Sequence, residues 1–198
     1  PLRQNLHRGS YVMDYVLAYD FLYNNMSSEQ RMDFEAQAKQ ITYPSADAIL
    51  NDVCPFNNHR VVTLSAYGVL GLLLDNSSIV QLMQDQIDHY LNNCMKHGGA
   101  CYEGPSYARY TFKYATCFMF ALKNCGGYNY FLEPAYIEFV DFTASTLCPD
   151  KTHPLFEDCA ANIELSYLML RSIEQIQDEY PDVARKMRWY CEQFGYDN

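Results

Sequence analysis

The stretch Asn58–Leu74, NHRVVTLSAYGVLGLLL, decides the fold, because after Arg60 no charged residue interrupts it and its length suits a helix, not a strand. It is also the nearest approach in the chain to a membrane span. Thr63, Ser65 and two glycines break it well short of the roughly 20 consecutive apolar residues that a bilayer requires. It predicts a long apolar helix of a soluble protein.

The pattern on either side is of the same kind. Tyr11, Tyr15, Val16, Tyr19, Leu22 and Tyr23 recur at helical spacing and stop at Asn24-Asn25. A second helix is expected after Ser27-Ser28-Glu29, where a serine cap precedes acidic first-turn residues. Further runs cover Asp47 to Asp52, Asn58 to Leu74, Ser78 to Cys94, Tyr107 to Lys123, Pro134 to Leu147, Ala160 to Glu179 and Pro181 to Phe194. Gly, Asn, Pro or Ser mark the turns between them. Strict apolar/polar alternation is missing, and no repeat, low-complexity segment or linker divides the chain. The expectation is an all-α fold, 1–198 as a single helical domain, built of successive antiparallel hairpins.

Composition narrows the function. At 49% apolar and 15% aromatic, the 198 residues can bury a core without disulfides or metal. Acidic residues outnumber basic ones, 24 to 14, for a formal charge of -10. That balance argues against nucleic acid and anionic membranes as partners, and any polyanionic substrate would need a local basic patch. The opening Pro1-Leu2-Arg3-Gln4 has no signal-peptide pattern and reads as a start inside a longer protein.

The eight cysteines include no Cys-x-x-Cys pair and none at zinc-finger spacing to histidine, so no metal site is expected. Cys117 and Cys191 lie within apolar helical patterns and read as buried thiols. Cys94 and Cys101, flanking Gly98-Gly99, are the pair best placed for a bridge.

Three segments hold side chains suited to chemistry. Phe56-Asn57-Asn58-His59-Arg60 sets an amide beside an imidazole at a helix start, a cradle for a carboxylate. A capping asparagine followed by a histidine accounts for the same letters. Cys101 to Tyr110, CYEGPSYARY, places a Gly-Pro turn before a helix on which Tyr107, Tyr110 and Tyr114 share a face beside Glu103 and Arg109. Core packing is the plain alternative for such a stripe. His153-Pro154-Leu155-Phe156-Glu157-Asp158 is either an inter-helix loop or a third wall.

Together these segments resemble the heparinase II/III-like and oligoalginate lyase families of polysaccharide lyases. Ala18 to Tyr23 with Met26 to Arg31 looks like their AYD-x-LY…LS-x-EER hairpin, and Asn57-Asn58-His59 resembles their Asn-Asn-His element. Glu103 to Tyr110 is similar to EGP-x-Y-x-RY. Pro154 to Asp158 resembles P-x-x-GD, except that Glu157 stands where glycine is usual.

The resemblance implies part of an (α/α) toroid and cleavage of a uronic-acid polysaccharide by β-elimination. Asn58 and His59 would neutralise the uronate carboxylate, and Tyr107 would be the catalytic acid/base. Asn57, Glu103, Arg109, Tyr110 and His153 would line the substrate, with an acidic oligo- or polysaccharide as partner, no cofactor, and a secreted or periplasmic setting. The family's toroid has six hairpins and is followed by a β-sandwich with further catalytic residues. About nine helices and no β-rich tail are legible here, so this stretch is expected to form one wall of a cleft and to be inactive or very weak alone. A glycoside hydrolase using Glu103 and Asp158 and a non-catalytic helical carbohydrate-binding or interaction module are the competing readings.

Overall fold

The computed structural model describes residues 2–50, 58–95, 98–157 and 159–196, with side chains over 9–40, 58–95, 98–157 and 159–196. Its described α-helices are α1 (Leu2–Leu22), α2 (Ser28–Leu50), α3 (Asn58–Leu73), α4 (Ser77–Asn93), α5 (Pro105–Asn124), α6 (Pro134–Ser145), α7 (Ser166–Ile176) and α8 (Pro181–Gln193). The only extended pairing among the described residues is an isolated antiparallel bridge between Met95 and Cys101. The fold is all-α.

The apolar stretch is the organising helix. From Val61 to Gly71 every residue of α3 is buried, which requires neighbours on all sides. Helices α1, α4 and α5 supply them. A Cβ on Gly68 would come within 2.6 Å of Phe118 and 2.7 Å of Met83, so the missing side chain is what lets α5 and α4 close on α3. A second group, α6 to α8, packs together and meets the first through α5 with α7 and α4 with α6. Rings of Phe112, Tyr136 and Phe139, 4.9 to 6.4 Å apart between centroids, join the two groups into one core.

Local sequence sets the helix starts. Ser27 and Gln30 satisfy each other's backbone N–H groups at the head of α2, a reciprocal cap worth about 1 kcal/mol. Asn76 caps α4 by accepting from the Ile79 N–H at 3.2 Å. Prolines open α5, α6 and α8, where their lack of an N–H costs nothing.

Two expectations are corrected. The separate run at Asp47 to Asp52 is not a helix of its own, because α2 continues to Leu50 through Pro44. A proline within a helix removes one hydrogen bond without always ending it; Asn51 and Asp52 lie outside the described residues. Cys94 and Cys101 are not bridged, and the seven described cysteines are all free thiols. Cys94 is buried in the core, while the Cys101 thiol meets the Tyr90 hydroxyl at 3.4 Å. No described helix is long and apolar enough to cross a membrane.

Candidate functional site at two joined helix starts

The starts of α3 and α5 meet. The Asn58 amide, on the first residue of α3, donates to Glu103 Oε1 at 3.1 Å, and Glu103 lies two residues before α5 begins at Pro105. Residues 45 apart in sequence are thereby brought together. Glu103 is delivered by a tight turn in which Gly104 N–H donates to the Cys101 carbonyl at 3.0 Å, anchored by Tyr102 N–H on the Cys94 carbonyl at 2.7 Å. Gly104 has φ +82°, and a Cβ there would lie 2.4 Å from the Cys159 sulfur and 2.7 Å from the Phe156 carbonyl. Glycine at position 104 is thus a requirement of the turn and of the loop packed upon it.

That loop is the 153–160 segment. Ser106 N–H donates to Cys159 Sγ at 3.4 Å, and Ser106 Oγ accepts from Ala160 N–H at 3.1 Å. Glu157, the residue found where glycine is usual, has φ +54°. The backbone keeps the left-handed conformation that glycine would adopt freely, at a cost of about 1 kcal/mol for a residue with a side chain.

Burial lifts the Glu103 carboxyl above its ordinary value, opposed by the hydrogen bonds from Asn58. Its second oxygen, Oε2, is buried without a hydrogen-bond partner. Asn58 is only 3% exposed, so the amide assigned from sequence to a substrate carboxylate is instead committed to Glu103. His59 and Tyr107 are both half-buried, on the second residue of α3 and the third of α5. Asn57 and Asp158 lie outside the described residues.

The tyrosine stripe divides. Tyr114 is buried in the core with its hydroxyl pushed up to about 12, chiefly by desolvation. Tyr110 packs edge-on against it, centroids 5.4 Å apart, and turns its other side toward a pocket of about 170 Å³. That pocket is lined by Ser106, Arg109, Tyr110, Lys113 and Tyr167. Lys113, Tyr167 and the neighbouring Arg171 escaped the sequence reading. Their only signal is i, i+4 spacing, Arg109 with Lys113 and Tyr167 with Arg171, on helices that the sequence does not pair.

His153 does not join the site. It is 2% exposed, its Nε2 lies 3.0 Å from the Tyr190 hydroxyl, and burial lowers its pKa from the ordinary value. The Tyr190 hydroxyl also accepts from Leu165 N–H at 3.1 Å. The expectation that His153 lines the substrate is replaced by a core role, because the loop turns inward to meet α8.

A larger hollow of about 410 Å³ is lined by Leu91, Asn92, Met95, Glu133, Pro134, Ala135 and Glu138. Its described lining carries two carboxylates, Glu133 and Glu138. Among the described residues no three His, Cys, Asp or Glu side chains are grouped to hold a metal ion. No family model matches the chain, and none of the curated proteins compared with it matches.

Proposed function

We propose that the chain carries part of the active site of a polysaccharide lyase, one that cleaves a uronic-acid polymer by β-elimination outside the cell. The observation that carries the reading is the Asn58–Glu103 hydrogen bond, 3.1 Å long, which brings the two most lyase-like segments into one place. His59 and Tyr107 ride on the helix turns so joined.

In β-elimination a base takes the C5 proton, the C–H electron pair becomes the C4–C5 double bond, and the C4–O4 bond breaks. The O4 alkoxide must then receive a proton. Tyr107, as a phenol, supplies it, a contribution of about 10²- to 10⁴-fold in rate. Neutralising the uronate carboxylate makes C5 acidic enough to react. His59 is the donor for that task, and Asn58 acts indirectly by fixing Glu103. Burial already lifts the Glu103 carboxyl above its ordinary value, and the negative charge of a uronate held nearby pushes it in the same direction.

One observation favours a second reading, a helical module without chemistry. Asn58 and Glu103 satisfy each other and Asn58 is almost wholly buried, which a purely structural clasp also explains. Assaying the full-length protein on alginate, glucuronan and heparin separates the two. The lyase reading expects an unsaturated product absorbing in the ultraviolet, lost in Tyr107→Phe while substrate binding persists. Turnover unchanged in Tyr107→Phe removes this tyrosine from the mechanism, and absence of unsaturated product on every polymer favours the module.

A further inference from the structure

The face shared by α5 and α7 carries charge that nothing in the described structure neutralises. Arg109, Lys113 and Arg171 are all exposed, and none forms an ion pair with a described carboxylate. The ion pairs that do form, Arg185 with Asp182 and Lys186 with Asp141, involve α8 and α6. In a chain of formal charge -10, three exposed cations without an ion-paired carboxylate among the described residues concentrate positive charge on this face.

The cluster has a built floor. The Tyr167 hydroxyl donates to the Arg109 carbonyl at 3.1 Å, fixing the ring against α5. The Arg109 and Arg171 guanidinium carbons each lie 5.8 Å from the centroid of that ring, one from each helix. Lys113, one turn beyond Arg109, lines the same pocket. The Cys117 thiol is influenced by both Arg171 and Lys113, which places these two cations on a common side of α5. The other end of the pocket is Ser106, adjacent to Tyr107 in the first turn. From Tyr107 to Lys113 is about 9 Å along the helix axis, the scale of neighbouring units of a sugar chain.

We infer that Arg109, Lys113 and Arg171, arranged around Tyr167, form a subsite for an anionic group, carboxylate or sulfate, on a sugar unit adjoining the one held at the α5 start. This rests on the lyase reading for what occupies the α5 start, although the patch makes its own demand on the ligand. A guanidinium fork donates to two oxygens at once, which either a carboxylate or a sulfate presents, and the tyrosine ring offers a face for the sugar. Duplex nucleic acid suits the patch less well, because its many phosphates would meet an otherwise acidic surface.

The test is calorimetric titration of the full-length protein with three probes: oligoalginate, sulfated heparin oligosaccharide and a short DNA duplex. Each is repeated on Arg109→Gln, Lys113→Gln, Arg171→Gln and the triple variant, with thermal melts to verify folding. The expected result is binding of at least one acidic oligosaccharide, weakened about tenfold by each single change and about a hundredfold or more by the triple. Which oligosaccharide binds tells carboxylate from sulfate. Undiminished binding by a folded triple variant, no binding of either oligosaccharide by the wild type, or preference for DNA each overturns the inference. If the wild type binds through these residues yet yields no unsaturated product, the lyase reading fails and the subsite stands. If it cleaves and the triple variant cleaves and binds as well, the reverse holds.

Discussion

The joined helix starts and the α5–α7 face lie along one helix and use their polar groups in opposite ways. At the helix starts, Asn58 and Glu103 are turned toward each other in a largely dehydrated place, and the Gly104 turn and the 153–160 loop lock them there. On the α5–α7 face, Arg109, Lys113 and Arg171 are solvated and share no carboxylate among the described residues. A buried polar pair is coupled to folding, because removing one member strands the other; an exposed unpaired charge is coupled to whatever comes to neutralise it. The first region should therefore answer mutation with stability and the second with affinity.

The largest expected effect is that of Asn58→Ala. It strands a carboxylate whose other oxygen already lacks a partner, and should cost about 3 kcal/mol in urea unfolding. A variant with full stability but no substrate turnover would break the comparison, since Asn58 would then be serving a ligand and not the fold. Gly104→Ala comes next at about 2 kcal/mol, because the new methyl meets both a left-handed φ and the Cys159 sulfur 2.4 Å away. Shortening the obstacle in Gly104→Ala/Cys159→Ala should recover part of that loss. No recovery would assign the cost to the left-handed backbone and to the Phe156 carbonyl, 2.7 Å from the same methyl.

These two positions also show what the letters disclose. The α3 stretch announces its helix because fourteen successive residues without charge, Val61 to Leu74, leave few alternatives, and burial throughout Val61 to Gly71 follows from that composition. The prolines and the Ser27–Gln30 pair announce helix starts for equally local reasons. The Asn58–Glu103 contact spans 45 residues, and no local rule relates them; only the resemblance set them side by side. Arg109 and Arg171 converge on Tyr167 through helix packing between α5 and α7, which apolar periodicity does not specify. The core role of His153 is hidden for a related reason: its polar ring sits in a loop, and its partner Tyr190 is 37 residues away on α8.

A smaller effect should appear on acidification. A histidine whose folded pKa lies below its ordinary 6.5 takes up its proton more readily when unfolded, so the unfolded state binds more protons and stability falls as pH drops from 6.5. Glu103 works against this. Its raised pKa means that the folded state holds a proton the unfolded state has released, so its ionisation is a cost that is relieved as pH falls toward 4.5. Melting temperatures followed from neutral pH downward should decline in the wild type and decline less steeply in His153→Gln. Equal slopes would assign the acid loss to other groups and weaken the contrast between a core histidine and an exposed cationic face.

The smallest effect is the most discriminating for the loop that closes over the α5 start. Glu157 holds φ +54° with an exposed side chain, so its carboxylate contributes no described contact to offset the strain. Glycine would adopt that backbone without penalty while gaining freedom in the unfolded chain, and the two terms partly cancel. Glu157→Gly should therefore stabilise by about 0.5 kcal/mol. It also removes one negative charge from the loop packed on Gly104, near the place where an acidic sugar would lie. If stability rises and affinity for acidic oligosaccharide rises with it, the loop belongs to the binding face. Should stability rise alone, the loop serves only to clamp the turn that carries Glu103.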